Sequence, residues 1–411
     1  MKLLLVPALL ALFPAASFAG VEQAAGKAAA LVAAEPAGTE RLFSASFFRQ
    51  ISRKQLNAVF SGLYAAHGAV SDTVLMSSGP FTGHFFFDTV SGWRIPVALS
   101  LDQNSGLIDG IFFSPAYRLD PVLAEVKERF SALPGRKALL IMRLGKAPEP
   151  LEALNPDEEL AAGPAYRLYL LGAILKERLS WEKIVKLRDS DRSAPPGPLN
   201  RWPEGSPLTV HTLAALTLAE GDDTASDALL RALGRRSVEY DLTALGHSVP
   251  GLLEPFLKTS EALRLQASTG EALKYLNLPR DERYGFLDGL AGEPLTATAF
   301  TRGALGLDKI GWDASPADLC RLMAFFSGRD DKPALELLEL GRPPVRAPEG
   351  YLYAGGGGGA YPGLYSAVWL LRNAGAKQFC LAAVWNDEER DLRAASFLGP
   401  LRSALEALSA D

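Results

Sequence analysis

The strongest constraint on the fold comes from three apolar runs that lie far apart in the sequence. The first is RKALLIMRLG at 136–145, and the other two are LYSAVWLLRN at 364–373 and KQFCLAAVWND at 377–387. Apolar runs of this length, bounded by turn residues, predict buried strands. Between them the pattern is mainly helical, from about residue 164 to about residue 326. We therefore predict one sheet, assembled from both ends of residues 121–411, with helices packed on it.

Two more helices are expected beside this sheet. One is predicted over about 121–133, where Pro134 and Gly135 end it, and a closing helix is predicted over about 392–408. Proline cannot continue a helix because it lacks the backbone N–H, and glycine favours the turn that follows.

Residues 39–117 have a different pattern. Helical periodicity over about 43–66 is followed by three apolar or alternating runs, at 83–92, 93–106 and 107–115. Serine, asparagine and glycine residues separate these runs, which predicts an antiparallel meander. A helix and a curved antiparallel sheet make a small α+β domain.

The beginning of the chain has the pattern of a cleavable secretory signal. An apolar run at 3–13 is followed by the small residues Ser17 and Ala19, which predicts a signal peptide over 1–19. The apolar run is too short to span a membrane. An alanine-rich leader at 20–38 follows. We expect a periplasmic or secreted protein without a membrane span.

Length and composition narrow the class of protein further. A chain of 411 residues is more than one ordinary domain needs, so two domains are expected. The net charge of −5 and the lack of a basic stripe argue against a nucleic-acid partner. The four histidines lack metal-ligand spacing, so we expect neither a metal nor another cofactor. Cys320 and Cys380 are expected to be two separate buried thiols, although export would permit them to pair.

Three segments contain recognisable motif patterns. They are GPAYRLYLLGA at 163–173, LAEGDDTASDALL at 218–230 and YAGGGGGAYPG at 353–363. In this order they resemble the S-x-x-K, S-D-N and K-T-G elements of class A β-lactamases and penicillin-binding-type serine hydrolases. The segment IGWDASPADLCRLM at 310–323 is similar to a helix start in the branch of that family with an NTF2-like N-terminal domain.

The resemblance implies an α+β protein with two domains. An NTF2-like domain over 39–117 would precede a β-lactamase/transpeptidase-like domain over 121–411, in which helices flank an antiparallel sheet. In this family the serine attacks the substrate carbonyl, and the lysine one turn later adjusts its proton transfer.

The catalytic residues of the first motif are missing. The serine position falls on Pro164, which has neither a hydroxyl for attack nor an N–H for an oxyanion hole. The lysine position falls on Arg167, whose guanidinium stays protonated at any working pH. Proline is well tolerated in the first turn of a helix, so we expect the fold to be kept without this chemistry.

The other two motifs are also altered. The S-D-N element becomes Gly-Asp-Asp at 221–223, and the K-T-G element becomes three glycines at 357–359. An aspartate pair at a helix start usually caps it and offsets its dipole, and an ion pair with Arg167 is the simplest expectation. The predicted cleft positions are Pro164, Arg167, Gly221, Asp222, Asp223, Gly357, Gly359 and Tyr361.

Two other segments match the residue pattern of a catalytic motif but are expected to lie outside the site. The segment Ser180-Trp181-Glu182-Lys183 satisfies S-x-x-K, but we expect it in the turn after the nucleophile helix. The segment Lys258-Thr259-Ser260 is expected to begin a helix, with Thr259 or Ser260 as its cap. Tyr166 is expected to be a buried aromatic residue, and Tyr361 a loop residue that covers the cleft.

Two functions from different classes fit these residues. The first is an inactive exported protein whose cleft binds a peptidoglycan-derived or β-lactam-like small molecule, or a periplasmic protein, with Arg167 as the anion partner. The second is a hydrolase of an ester, lactam or peptide bond, in which Asp222 or Asp223 activates water. A ligand-binding pocket in the N-terminal domain, near His84 and Asp88, is a third possibility.

Overall fold

The computed structural model describes five stretches of the chain. Residues 1–17, which belong to the predicted signal peptide, lie outside them. Within the described stretches, no helix combines the length and the apolar character needed to cross a membrane. The chain divides into two compact units, Met1–Asp120 and Pro121–Asp411, which we describe separately. The described stretches are 18–194, 197–290, 309–341, 343–390 and 392–411.

The first unit is an antiparallel sheet with helices. Its strands lie in the order β1-β2-β3-β4, and β5 pairs with β3. The first strand was not predicted, because most of its residues are exposed and show no regular alternation. The helices are α1 (Phe18–Ala29), α2 (Thr39–Leu42), α3 (Phe47–Gln50) and α4 (Arg53–His67). The strands are β1 (Val70–Ser78), β2 (Thr82–Thr89), β3 (Trp93–Leu101), β4 (Ile108–Phe113) and β5 (Tyr117–Arg118).

The core of this unit includes the segment predicted as a leader. Val21 and Ala25 of α1 are buried in the same apolar cluster as Phe85 and Phe87 of β2. Helix α4 begins with a capping box, in which Ser52 accepts a hydrogen bond from the Gln55 N–H and the Gln55 side chain accepts one from the Ser52 N–H. The predicted helix over 43–66 is thus two helices, α3 and α4.

The second unit contains the long helical region that the sequence predicts. Its helices are α5 (Leu123–Ser131), α6 (Arg167–Lys176), α7 (Val210–Ala215), α8 (Asp223–Leu233), α9 (Arg235–Asp241), α10 (Thr259–Ala267), α11 (Thr269–Asn277), α12 (Arg280–Gly289), α13 (Pro316–Arg329), α14 (Lys332–Leu340) and α15 (Ala394–Ala410). Its strands are β6 (Arg136–Leu144), β7 (Glu149–Leu154), β8 (Leu160–Ala161), β9 (Ile184–Lys186), β10 (Pro207–Thr209), β11 (Asp313–Ala314), β12 (Tyr353–Tyr361), β13 (Leu364–Arg372) and β14 (Gln378–Asn386).

The main sheet joins both ends of the second unit, as predicted. Its strands lie in the order β12-β13-β14-β6-β7, and all neighbours are antiparallel. One face packs against the helical middle of the chain, in a core that includes Leu140 and Val384. On the other face, helices α5 and α15 cover a second core around Trp369 and Trp385. This arrangement confirms the predicted α+β class with a sheet flanked by helices.

The expectation for the two cysteines was wrong. Cys320 on α13 and Cys380 on β14 form a disulfide, and their Cα atoms lie 5.5 Å apart. Both are buried. No spacing pattern indicates this pairing, because the bond depends on how α13 packs against β14.

Candidate functional site

Pro164 lies in a buried 3-10 turn, Gly163–Tyr166, that leads into α6. The turn is held by the Ala162 N–H, which donates to the Trp312 carbonyl at 2.8 Å. Gly163 has a φ of +46°, and a Cβ there would lie only 2.8 Å from a methyl carbon of Leu364. Glycine is therefore required at this position.

Strand β12 approaches this turn through its glycines. A Cβ built on Gly359 would lie 3.1 Å from the Pro164 ring. A Cβ on Gly357 would instead lie 3.2 Å from the Leu168 side chain of α6. The structure therefore places Gly359, rather than Gly357, opposite Pro164, and a lysine side chain at 357 would start against Leu168.

An ion pair occupies the space beside this turn. Arg167 Nη2 donates to Asp223 Oδ1 at 2.6 Å, and the two side chains are 12% and 3% exposed. The same Nη2 lies 3.4 Å from the Gly221 carbonyl oxygen. A Cβ on Gly221 would lie 3.6 Å from Arg167 Nη1. Arg167, Gly221 and Asp223 are thus brought together, and the expected ion pair is present.

Burial affects the two members of this pair differently. It raises the pKa of Asp223, although the Arg167 charge opposes that shift. Burial alone would lower the pKa of Arg167, but Tyr166, Tyr361 and Asp223 outweigh it and leave the pKa above its ordinary value. Arg167 is therefore protonated at any working pH and cannot accept a proton.

Two tyrosines border the ion pair. The Tyr166 ring stacks on Trp312 with their centroids 4.1 Å apart, and Arg167 Cζ lies 5.5 Å from the Tyr166 centroid. Tyr166 is buried, as expected. Tyr361 is the last residue of β12, so its predicted place in a loop was wrong. Burial raises the pKa of both phenols, which are therefore neutral at physiological pH.

Asp222 has a structural role in the fold. Its Oδ1 accepts from the Ala225 N–H at 3.0 Å, which caps α8, and its Oδ2 accepts from the Leu199 N–H at 2.7 Å. The side chain is fully buried. Both carboxylate oxygens therefore accept hydrogen bonds from backbone N–H groups, which agrees with the predicted capping role of the aspartate pair.

The two segments that match catalytic patterns by letter lie elsewhere. Ser180 is exposed, and its Oγ accepts from the Glu182 N–H at 3.3 Å in the turn after α6. The predicted cap at Thr259 or Ser260 was wrong. The carboxylate of Asp227 in α8 accepts from the N–H groups of Thr259 and Ser260, at 2.7 and 3.1 Å, so another helix supplies the cap of α10.

Sequence reasoning missed one cluster of ionisable residues. Side-chain ligand atoms of Glu159, His247 and Asp318 lie within 4.8 Å of one another. These residues come from separate parts of the chain and have no motif spacing, so only the fold brings them together.

Comparisons with known proteins concern the fold of the second unit. Residues 123–276 match the model of the family described as "Beta-lactamase enzyme family". No curated protein matches the chain. A β-lactamase from Desulfarculus baarsii DSM 2075 has a similar structure, with a TM-score of 0.50 and 17% identity over 71% of this chain and 99% of that one.

Two further solved structures are similar at slightly lower scores. A β-lactamase from Sphaerobacter thermophilus DSM 20745 is 19% identical over 71% of this chain and 98% of its own, with a TM-score of 0.49. A PBP-A mutant in an acyl-enzyme complex with penicillin G is 13% identical over 70% and 96%, with a TM-score of 0.48. The NTF2-like assignment of the first unit stays a prediction. The second unit has the fold of the β-lactamase and penicillin-binding-type serine hydrolases.

Proposed function

We propose that this protein is an exported, catalytically inactive relative of the serine β-lactamases and that it acts by binding. The observation that carries the proposal is the buried ion pair between Arg167 and Asp223, next to a proline at the nucleophile position. In this cleft a structural contact takes the place of the catalytic serine and lysine.

Acyl transfer needs a nucleophile, an oxyanion donor and a base, and this site lacks all three. Pro164 has no hydroxyl to attack a carbonyl, and its missing N–H removes an oxyanion donor, a loss that alone typically lowers the rate by about a hundredfold or more. Arg167 is protonated and cannot take a proton from a nucleophile. The neutral phenols of Tyr166 and Tyr361 are not bases at physiological pH either.

The disulfide supports export. Bonds of this kind form and persist in oxidising compartments and are rare in the bacterial cytosol. The pair Cys320–Cys380 therefore fits the signal-like sequence at 1–19. These two observations together support a periplasmic or secreted location.

The site favours an anionic ligand. Arg167 Nε is buried and has no hydrogen-bond partner among the described residues, so the guanidinium retains an unused donor. A carboxylate suits a guanidinium because the two can form paired hydrogen bonds. Peptidoglycan-derived peptides and opened or intact β-lactams carry such a group. A periplasmic protein that inserts an acidic side chain is the other candidate partner.

Calorimetric titration tests the binding proposal. We would titrate the protein with a peptidoglycan-derived peptide that ends in a free carboxylate, and compare the double variant Arg167→Gln/Asp223→Asn, which leaves no unpaired charge. Exposed Arg178, just beyond α6, provides the control Arg178→Gln. We expect at least about tenfold weaker binding in the double variant only, since a charge-assisted bond is lost. Equal affinity in all three proteins would contradict the proposed site.

A hydrolase with unusual catalytic residues is the second candidate. Burial raises the pKa of Asp223, whereas both carboxylate oxygens of Asp222 already accept from backbone N–H groups, so Asp223 is the favoured base. Hydrolysis of a chromogenic lactam or a nitrophenyl ester, abolished by Asp223→Asn, would support this candidate. If the parent protein hydrolyses neither substrate, this second candidate is excluded.

A further inference from the structure

A second group of ionisable residues lies near β8, where Glu159 is half-buried and His247 and Asp318 are buried. Glu159 immediately precedes β8, His247 follows α9, and Asp318 is in the first turn of α13. We call these three residues the clasp. Each side chain contributes a ligand-type atom within 4.8 Å of the others, so the cluster is close enough for a metal ion or for a shared proton.

Asp318 uses both of its oxygens within the protein. Its Oδ1 accepts from the Ser248 N–H at 2.9 Å and from the Arg321 guanidinium, and its Oδ2 accepts from the Ser315 N–H at 3.2 Å. Burial alone would raise the pKa of Asp318, but the neighbouring Glu159, the nearby His247 and the N–H donors of Ser315 and Ser248 lower it overall. Asp318 is therefore the ionised carboxylate of the clasp.

His247 also uses both ring nitrogens. Nδ1 accepts from the Val249 N–H at 3.2 Å, so Nε2 carries the proton and donates to the Asp313 carbonyl at 2.9 Å. Burial lowers the pKa of His247, which keeps the ring neutral. No lone pair is left on the ring for a metal, so a proton fits this cluster better than a cation.

Glu159 is the group that can hold that proton. Its Oε1 accepts from Ser248 Oγ at 3.0 Å, while no N–H or hydroxyl of the described residues reaches its buried Oε2. A carboxyl oxygen of Glu159 nevertheless lies within 4.8 Å of a carboxyl oxygen of Asp318. Two carboxylates this close repel each other when both are ionised, so a proton on one of them is favoured.

We propose that Glu159 and Asp318 share one proton and that this proton holds the strand leading into the cleft. When the proton leaves, two negative carboxylates face each other, and Glu159, which immediately precedes β8, is repelled from Asp318 on α13. The clasp is therefore a conformational switch that opens as the pH rises, and it acts independently of the ligand that the cleft binds.

Direct contacts connect the clasp to the cleft. His247 bonds the carbonyl of Asp313, and β11, which begins there, pairs with β8. The neighbouring residue, Trp312, accepts from the Ala162 N–H and stacks on Tyr166. Tyr166 lies beside Arg167. A loosened clasp therefore reaches the ion pair through packed and hydrogen-bonded groups.

The direction of the pH effect follows from the environment of Glu159. Burial, then the hydrogen bond and charge of Asp318, raise the pKa of Glu159 from 4.5 to about 8. A carboxyl whose pKa is raised by folding contributes stability that is complete below its unfolded pKa and is lost as the pH rises through its folded pKa. The ionisable and charged groups around it are Asp313, Asp318, His247, Tyr169, Arg136 and Arg321.

Urea unfolding across pH tests the clasp. We would compare the parent with Glu159→Gln, which keeps the protonated shape, and with Glu182→Gln, the same change at an exposed glutamate. Between about pH 6 and pH 9, the unfolding constant should rise about a hundredfold more in the parent and the control than in Glu159→Gln. Parallel pH profiles in all three proteins would overturn the proposal.

Two further measurements keep the test decisive if Glu159→Gln folds poorly. In the parent alone, hydrogen exchange of the peptide covering 160–170 should accelerate near pH 8 beyond the intrinsic rate, whereas α15 should not. Unchanged protection of both segments would contradict the clasp. Elemental analysis of the purified protein should find no stoichiometric metal. If the parent contained one equivalent of metal and Glu159→Gln contained none, the cluster would bind a cation in place of the shared proton, and the proposal would be wrong.

Discussion

Arg167 donates to Asp223 across 2.6 Å, where the family motifs have a lysine and an asparagine. In this chain the two residues form a complementary pair. A lone arginine at position 167 would be a buried charge without a partner, which is strongly destabilising. Asp223 therefore explains how the fold accommodates a buried arginine here.

Arg167→Met should destabilise the protein strongly, because Asp223 then remains as a buried carboxylate without its partner. We expect a loss of about 3–5 kcal/mol in the free energy of unfolding at neutral pH, measured by urea denaturation. The double variant Arg167→Gln/Asp223→Asn should lose clearly less. If the double variant is as unstable as Arg167→Met, the pair does not account for the stability of the cleft.

Restoring the motif letters should restore slow acylation. The triple variant Pro164→Ser/Arg167→Lys/Asp223→Asn returns the hydroxyl, an N–H and a base whose pKa can fall on burial. Labelling by a fluorescent penicillin, read on a gel, should become detectable. Arg167→Lys/Asp223→Asn, which lacks the serine, is the matched control. Full activity is not expected, because Gly221 lacks a hydroxyl and strand β12 carries no lysine.

The outcome for the triple variant also tests the geometry. A well-folded but unlabelled triple variant would show that the backbone of the cleft has changed along with the side chains. Equal labelling of the serine-free control would place the reaction at another residue and contradict the assignment of Pro164 to the nucleophile position.

Local patterns predicted much of the second unit. The apolar runs at 136–145, 364–373 and 377–387 became adjacent strands of one sheet, since buried strands leave a strong hydrophobic signal. An ion pair between Arg167 and the aspartate pair at 222–223 could be predicted from the resemblance, because the motif order indicates which segments meet, and the structure assigns it to Asp223.

Features that depend on long-range packing were not predictable. The disulfide, the clasp and the cap that Asp227 gives to α10 all join segments remote in sequence, and none has a spacing signal. Strand β1 was missed for a different reason, because its exposed face lacks the alternation that marks a half-buried strand.

Tyr169→Phe should leave stability nearly unchanged or raise it. The Tyr169 hydroxyl is buried without a hydrogen-bond partner among the described residues, and burial raises its pKa well above the ordinary value. Removing an unsatisfied polar group can be neutral or stabilising, whereas Tyr169→Ala should cost about 3–5 kcal/mol through the cavity. Thermal and urea unfolding measure both. A loss of several kcal/mol in Tyr169→Phe would reveal a partner for the hydroxyl.

The disulfide should contribute measurably to stability. The free energy of unfolding of the double variant Cys320→Ala/Cys380→Ala should be about 2–5 kcal/mol lower than that of the oxidised parent. Under a strong reductant the parent should approach the variant. Should the parent carry two free thiols by mass spectrometry after secretion, the bond does not form in the cell and the support for export disappears.

Intact-protein mass spectrometry after incubation with a fluorescent penicillin, and separately with a fluorophosphonate, tests the central claim most directly. The mass of the parent protein should be unchanged after incubation with either reagent, because Pro164 has no hydroxyl and Arg167 cannot act as a base. A stoichiometric covalent adduct, mapped by peptide sequencing to any serine, would contradict the account. An adduct on Ser180 would also show that the nucleophile had been assigned to the wrong end of α6.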